Sequence, residues 1–164
     1  DANREHLRQW LPWVDTITSV GAERQFINAS LNAYSRNGSF VAGVWFRDRL
    51  VGAIGLEQID WKNNRTSIGY FLGEDSQGKG LITSACRALV DHSFGDLGLN
   101  RVEVRVATEN HRSQAVPKRL GFKEEGILRE VEWLYDRYVD HVMFAMLAGE
   151  WQELAGRTDS VKGR

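Results

Sequence analysis

A glycine-bearing loop between a strand-like run and a helix-like run constrains this chain more than any other feature. Residues 69–83 read GYFLGEDSQGKGLIT, and a helical apolar pattern continues from Leu81 to Phe94. Gly78 and Gly80 permit a tight turn and a close approach of backbone to ligand. A helix that starts there presents unpaired N–H groups and the positive end of its dipole. Together these make a site for a phosphate or pyrophosphate, built from the amides of Gln77, Gly78, Lys79, Gly80, Leu81 and Ile82.

Two familiar phosphate loops fit poorly. The nucleotide-hydrolase loop G-x-x-x-x-G-K-[ST] matches at Gly73, Gly78 and Lys79, but Gly80 stands where a magnesium-binding hydroxyl is required. The dinucleotide loop G-x-G-x-x-G needs a glycine where Thr83 stands.

Patterning along the rest of the chain predicts helices at 3–11 and 22–36 and strands at 40–46, 50–59 and 66–72. A helix over 81–95, a strand over 101–107, a helix over 111–120 and a hairpin of strands over 122–134 and 138–147 follow. This order implies an α/β fold: a mixed, mostly antiparallel sheet with helices on both faces. The crossover places strand 66–72 parallel to strand 101–107. Ligands in such sheets sit at the carboxyl ends of strands. The loops 73–80 and 108–113 both leave those ends, so they should meet at one place.

The chain of 164 residues suits one domain, 1–164, that buries roughly 70% of its unfolded surface. Its net charge of −1 gives no global field for nucleic acid or an anionic membrane. The single cysteine, Cys86, cannot close an internal disulfide, which suits a reducing cytoplasm. Its spacing from Ile82, Ala85 and Leu89 makes it a buried structural thiol. No apolar run approaches the roughly 18–20 residues of a membrane span. His6, His92 and His111 carry no ligand spacing, so no metal is expected. Residues 157–164 read as a frayed polar tail.

The loop also resembles the strand–x-x-x-G-x-G–helix element of the Gcn5-related N-acetyltransferases (GNAT). A second element follows: strand 101–107, then Asn110-His-Arg-Ser113, then the "LGF" at 120–122. The resemblance spans roughly residues 3–150. It is closest to the branch that acetylates ribosomal-protein N-termini (RimL/RimJ-like), through HLRQWLPWV near the start and GKGLITSACRALVDHSF in the middle. One position departs: Asp75 stands where the family often has Gln or Arg. The resemblance implies a GNAT fold whose first strand would precede Asp1, so N-terminal residues are expected to be missing.

It further implies acetyl-coenzyme A as co-substrate and an amine as acceptor, most simply a protein or peptide N-terminus; a small-molecule amine acceptor, or a non-catalytic acyl-coenzyme A-binding module, is the alternative. Homo-oligomerisation stays open. Backbone groups of Phe71 and Leu72 would meet the acetyl carbonyl or pantetheine. Asn110 would bond the pantetheine arm, a role compatible with capping its own helix. Ser113 would serve the leaving sulfur. Glu132 aligns with a glutamate that collects the amine proton in part of the branch, and Glu57 is the second candidate. Asp140 and His141 are adjacent on a strand and point to opposite faces, so they cannot act together directly. Residues 1–12 would form an acceptor-side helix. Among six tryptophans, Trp10 and Trp61, with Tyr135, are candidate acceptor-pocket residues, while Trp45 and Trp151 suit ordinary packing. Pro117 cannot donate to the Ser113 carbonyl and should leave it free near the site.

Overall fold

The periodic segments become elements in the expected order. The computed structural model describes residues 2–162, with side chains through Gly156. Helices α1 (Arg4–Arg8) and α2 (Val20–Ser35) are separated by a 3-10 turn at Pro12–Asp15. Strands β1 (Phe40–Phe46), β2 (Arg49–Leu56) and β3 (Arg65–Leu72) lead into α3 (Leu81–Gly95). Then come β4 (Arg101–Ala107), α4 (His111–Arg119), β5 (Lys123–Leu134), β6 (Arg137–Leu147) and α5 (Ala148–Lys162). The tail expected over 157–164 lies outside the residues whose side chains are described.

The strands form one six-stranded sheet in the order β1-β2-β3-β4-β6-β5. Every neighbouring pair is antiparallel except β3–β4. The β1–β2 turn places Arg47 and Asp48 at φ 50° and 59°, the left-handed geometry that matches the twist of a tight hairpin.

One face of the sheet packs on α3 and α4. Ile68 and Leu72 of β3, Val104 and Val106 of β4, and Val142 and Phe144 of β6 meet Ile82, Cys86 and Val90 of α3. Val90, Val102, Phe144 and Met146 are wholly buried, each contributing about 1.5–3 kcal/mol of hydrophobic stabilisation. The opposite face carries the Pro12–Asp15 turn, where Trp13 packs on Phe71 with ring centroids 5.2 Å apart.

Two features needed the tertiary structure. Helix α5 has too thin an apolar stripe to announce itself. It is fixed by Trp151, which is buried and donates from Nε1 to Asp91 on α3 at 2.7 Å. Trp45 does not pack as expected: it is 65% exposed, because its neighbour Val44 takes the core-facing side of β1.

Candidate active site

The glycine loop closes as a phosphate cradle should. Gly73 donates to Val51 at 2.8 Å and so ends the β2–β3 ladder. A 3-10 turn at Glu74–Ser76 and an extended Gln77 follow. Gly78 and Gly80 take φ of 73° and 74°, the left-handed region open to glycine. A Cβ at either would meet nothing within 4 Å, so the demand for glycine is conformational rather than steric. The first bond of α3 runs from Ser84 N–H to the Gly80 carbonyl at 3.0 Å. The amides of Leu81, Ile82 and Thr83 therefore precede the helical ladder and point out of its positive end.

Beside this cradle the sheet splits. The parallel β3–β4 ladder runs only from Arg65 to Ser67 against Arg101 to Glu103. Beyond it the strands part, and residues 68–72 and 104–107 line a gap. Not all of the β3 backbone faces that gap. Glu57 N–H bonds the Ser67 carbonyl and Gly73 N–H bonds Val51, which phases the β2–β3 pairs. In that phase Phe71 bonds its partner Ala53. Of the two amides expected at the site, Leu72 faces the gap and Phe71 does not. Phe71 instead contributes its ring to the acceptor side, under Trp13.

Helix α4 starts where β4 ends. Asn110 caps it, its Oδ1 accepting from Ser113 N–H at 3.1 Å. Its side-chain NH2 is then the group that can donate to a ligand carbonyl. Buried Gln114 donates to the carbonyls of Ala107 (3.1 Å) and Thr108 (2.7 Å), locking the turn that aims Asn110.

The Ser113 carbonyl, denied its helical partner by Pro117, is not left free as expected. Tyr70 Oη donates to it at 2.9 Å, and Ser113 Oγ donates in turn to Tyr70 Oη at 3.2 Å. Burial pushes the Tyr70 phenol well above its usual value, so it stays a neutral donor. Neither Tyr70 nor Gln114 was found by sequence reasoning. A tyrosine in the core-facing register of Ile68 and Leu72 was the one available signal, since its hydroxyl must find a partner when buried.

Gln77 uses its side chain as a bridge. Its Oε1 accepts from Arg112 at 2.9 Å, and its Nε2 lies 2.7 Å from His6 Nε2. The loop, α4 and α1 are thus joined. Asn3 adds a second tie, its Oδ1 accepting from Glu74 N–H at 2.9 Å. Lys79 extends over the Phe46 ring at 5.6 Å, and its Nζ reaches the Asp75 carbonyl.

On the sheet face opposite α3, Glu132 Oε2 lies 3.3 Å from His141 Nε2. Glu57 accepts from Ser67 Oγ. Tyr135 donates to the Leu11 carbonyl at 2.7 Å, and Arg8 stacks 3.9 Å above its ring, so Tyr135 anchors the α1 segment. A cavity of about 300 Å³ lies between Trp10, the end of β4 and the β5–β6 hairpin. Trp61 does not join this group. It sits before Arg65, at the far end of β3, and bonds the Asn37 carbonyl at 2.7 Å. A second cavity of about 190 Å³, between α3, α4 and α5, is remote from the gap.

Burial pushes the Cys86 thiol up to about 12, which excludes it as a nucleophile at neutral pH. Among the described residues no cluster of metal-ligating side chains occurs, and no helix is long and apolar enough to cross a membrane.

Known proteins resemble this chain in sequence and fold. Residues 1–123 match the Acetyltransferase (GNAT) domain. The chain is 34% identical over 151 residues to YdaF of Bacillus subtilis (strain 168), covering 92% of this chain and 82% of that one. It is 30% identical to the ribosomal-protein-serine acetyltransferase of Escherichia coli (strain K12), covering 88% and 81%. Among solved structures, RimL, the ribosomal L7/L12 alpha-N-protein acetyltransferase in complex with coenzyme A, superposes with a TM-score of 0.87. It shares 26% identity, covering 91% of this chain and 84% of that one.

Proposed function

This chain belongs to the GNAT acetyltransferase family, and from that premise we propose that it transfers the acetyl group of acetyl-coenzyme A to the N-terminal α-amine of a protein or peptide. One observation carries the reading. The glycine cradle, the β3–β4 gap and the Asn110–Ser113 turn all open at one end of the sheet.

Acetyl-coenzyme A would supply an activated thioester. The amides of 77–82 bind its pyrophosphate at the positive end of α3. Leu72 on the gap edge and Asn110 at the α4 cap hold the pantetheine arm. Ser113 Oγ, released from Tyr70, stabilises the leaving thiolate. Glu132, 3.3 Å from His141, marks the side on which the amine proton is lost. Trp10, Trp13 and Phe71 bound the acceptor side with aromatic surface, beside a cavity that Glu109, Arg137 and Asp140 also line. The names of the relatives that act on ribosomal proteins support a protein acceptor and a cytoplasmic setting.

The test has two parts. Calorimetry should detect acetyl-coenzyme A binding. Thiol release should then appear with short peptides beginning in Ser or Ala. No binding at high micromolar cofactor would sink the proposal. Release with polyamines but with no peptide would replace the α-amine with a small-molecule acceptor.

A further inference from the structure

We propose that His141 takes the proton of the attacking amine and that Glu132 orients it from behind; this rests on the acetyl-transfer reading above. The sheet order places His141 first. Strand β6 lies between β4 and β5, so His141 stands one strand nearer the gap than Glu132. Its Cα partner on β4 is Ala107, about 5 Å away in an antiparallel pair. Ala107 ends the strand whose next turn carries Asn110.

The side chain also faces the right way. Val106 and Val142 point into the core, so Ala107 and His141 point to the opposite face. That is the face where Trp13 covers Phe71; the cavity that Trp10 and Ala107 share adjoins it, lined from β6 by Arg137 to Asp140 rather than by His141. Asp140, on the other face, is occupied: its Oδ1 accepts from Glu130 N–H at 2.7 Å.

A backbone irregularity supplies the second carboxylate. Leu128 pairs with His141, so a regular ladder would set Glu130 opposite Val139. Glu132 stands there instead. Two extra residues are taken up in β5, with Glu130 forced to φ 49°. Left-handed backbone at a non-glycine residue is costly and persists where the surroundings impose it. Here the imposing contact is the Asp140–Glu130 bond. Its result is that Glu132 and His141 share a face, 3.3 Å apart, with side chains 29% and 14% exposed.

The chemistry is that of an oriented imidazole. His141 Nε2 lies 3.3 Å from Glu132 Oε2; with the ring proton on the nitrogen turned to that carboxylate, Nδ1 keeps its lone pair. The amine nitrogen attacks the thioester carbonyl carbon, forming the N–C bond, and its proton passes to Nδ1. The C–S bond breaks and the thiolate leaves. Glu132 stabilises the imidazolium until water removes the proton, and the thiolate takes one proton from water. Other charged groups stand toward this face: Glu57 accepts from Ser67 Oγ, Arg101 pairs with Glu103 at 2.7 Å, and Glu109 and Arg137 line the neighbouring cavity. Glu103 and Arg105 of β4 pair with each other at 3.4 Å. On α1, Arg4 is held by the carbonyls of Val14 and Ile17, His6 by Gln77 and Arg8 by Asp15, while Glu5 is exposed.

The experiment compares wild type, His141→Gln, Glu132→Gln and the double variant. Acetyl-coenzyme A affinity is read by calorimetry, and thiol release is read across pH with Ser- or Ala-initiated peptides. His141→Gln should lower kcat by roughly 10²-fold or more and abolish the acid limb of the pH profile, with cofactor affinity unchanged. Glu132→Gln should lose less, and the double variant should be no slower than His141→Gln, because groups acting as a unit are not additive. A folded, cofactor-binding His141→Gln enzyme with the wild-type rate and acid limb overturns the dyad alone. A wild-type protein that releases no thiol with any amine overturns the acetyl-transfer reading, and the dyad with it.

Discussion

The Tyr70 hydroxyl donates to the Ser113 carbonyl at 2.9 Å and accepts from the Ser113 hydroxyl at 3.2 Å. A strand of the split sheet thereby holds the helix that carries the site serine. The bond replaces the one Pro117 removes from α4. Tyr70→Phe keeps the ring but orphans a part-buried carbonyl. Stability should fall by about 1–3 kcal/mol, the cost of an unsatisfied buried acceptor. Denaturant unfolding measures it, and turnover should fall with it as Ser113 loses its fixed position. Wild-type stability in Tyr70→Phe would mean that water replaces the phenol without cost.

Ser113→Ala removes only a hydroxyl whose protein contact is Tyr70. Stability should change little, because the neighbouring carbonyl bond survives. If the hydroxyl serves the leaving thiolate, kcat should fall while acetyl-coenzyme A affinity holds. Steady-state kinetics beside calorimetry separate the two, and an unchanged kcat would reduce Ser113 to a helix-turn residue.

Gly80 caps α3 at φ 74° with open space around its Cα. Gly80→Ala should cost roughly 1–2 kcal/mol for the left-handed conformation alone. Gly80→Val adds a branched side chain in the space a pyrophosphate would occupy, so its cofactor affinity should drop well below that of Gly80→Ala. Equal affinities in the two folded variants would count against backbone binding of phosphate there.

Cys86 is 1% exposed, and burial raises its thiol from 9.0 to about 12. A raised folded value means that stability is fully present below the unfolded value and is lost as pH rises through it. Above pH 9 the unfolded thiol ionises while the folded one does not, so each further pH unit costs about 1.4 kcal/mol. Cys86→Ala should flatten the alkaline decline by one proton's worth of slope, and native Cys86 should resist alkylation at pH 8. Rapid labelling of the native protein would contradict its burial.

Sequence alone determined the elements as far as β6 and the glycine-loop end of the candidate site. Strand and helix periods name their own partners locally, so β4, α3 and the β5–β6 hairpin were legible with near-correct bounds. The left-handed glycines were legible too, since few other residues tolerate that backbone. The crossover rule even predicted that the glycine loop and the Asn110 turn would meet. What needed tertiary structure were facts of register and of packing between distant segments. Sequence does not encode which amide of β3 faces the gap, because that depends on hydrogen-bond phase with β2. It hid Tyr70 behind an ordinary core pattern, and α5 behind a helix whose one deep anchor, Trp151, bonds a residue of α3. It also ruled out Asp140 as a direct partner of His141 without seeing that a two-residue irregularity in β5 delivers Glu132 instead. A local pattern fixes what each segment becomes, whereas side-chain partners across strands follow from a register that bulges can shift.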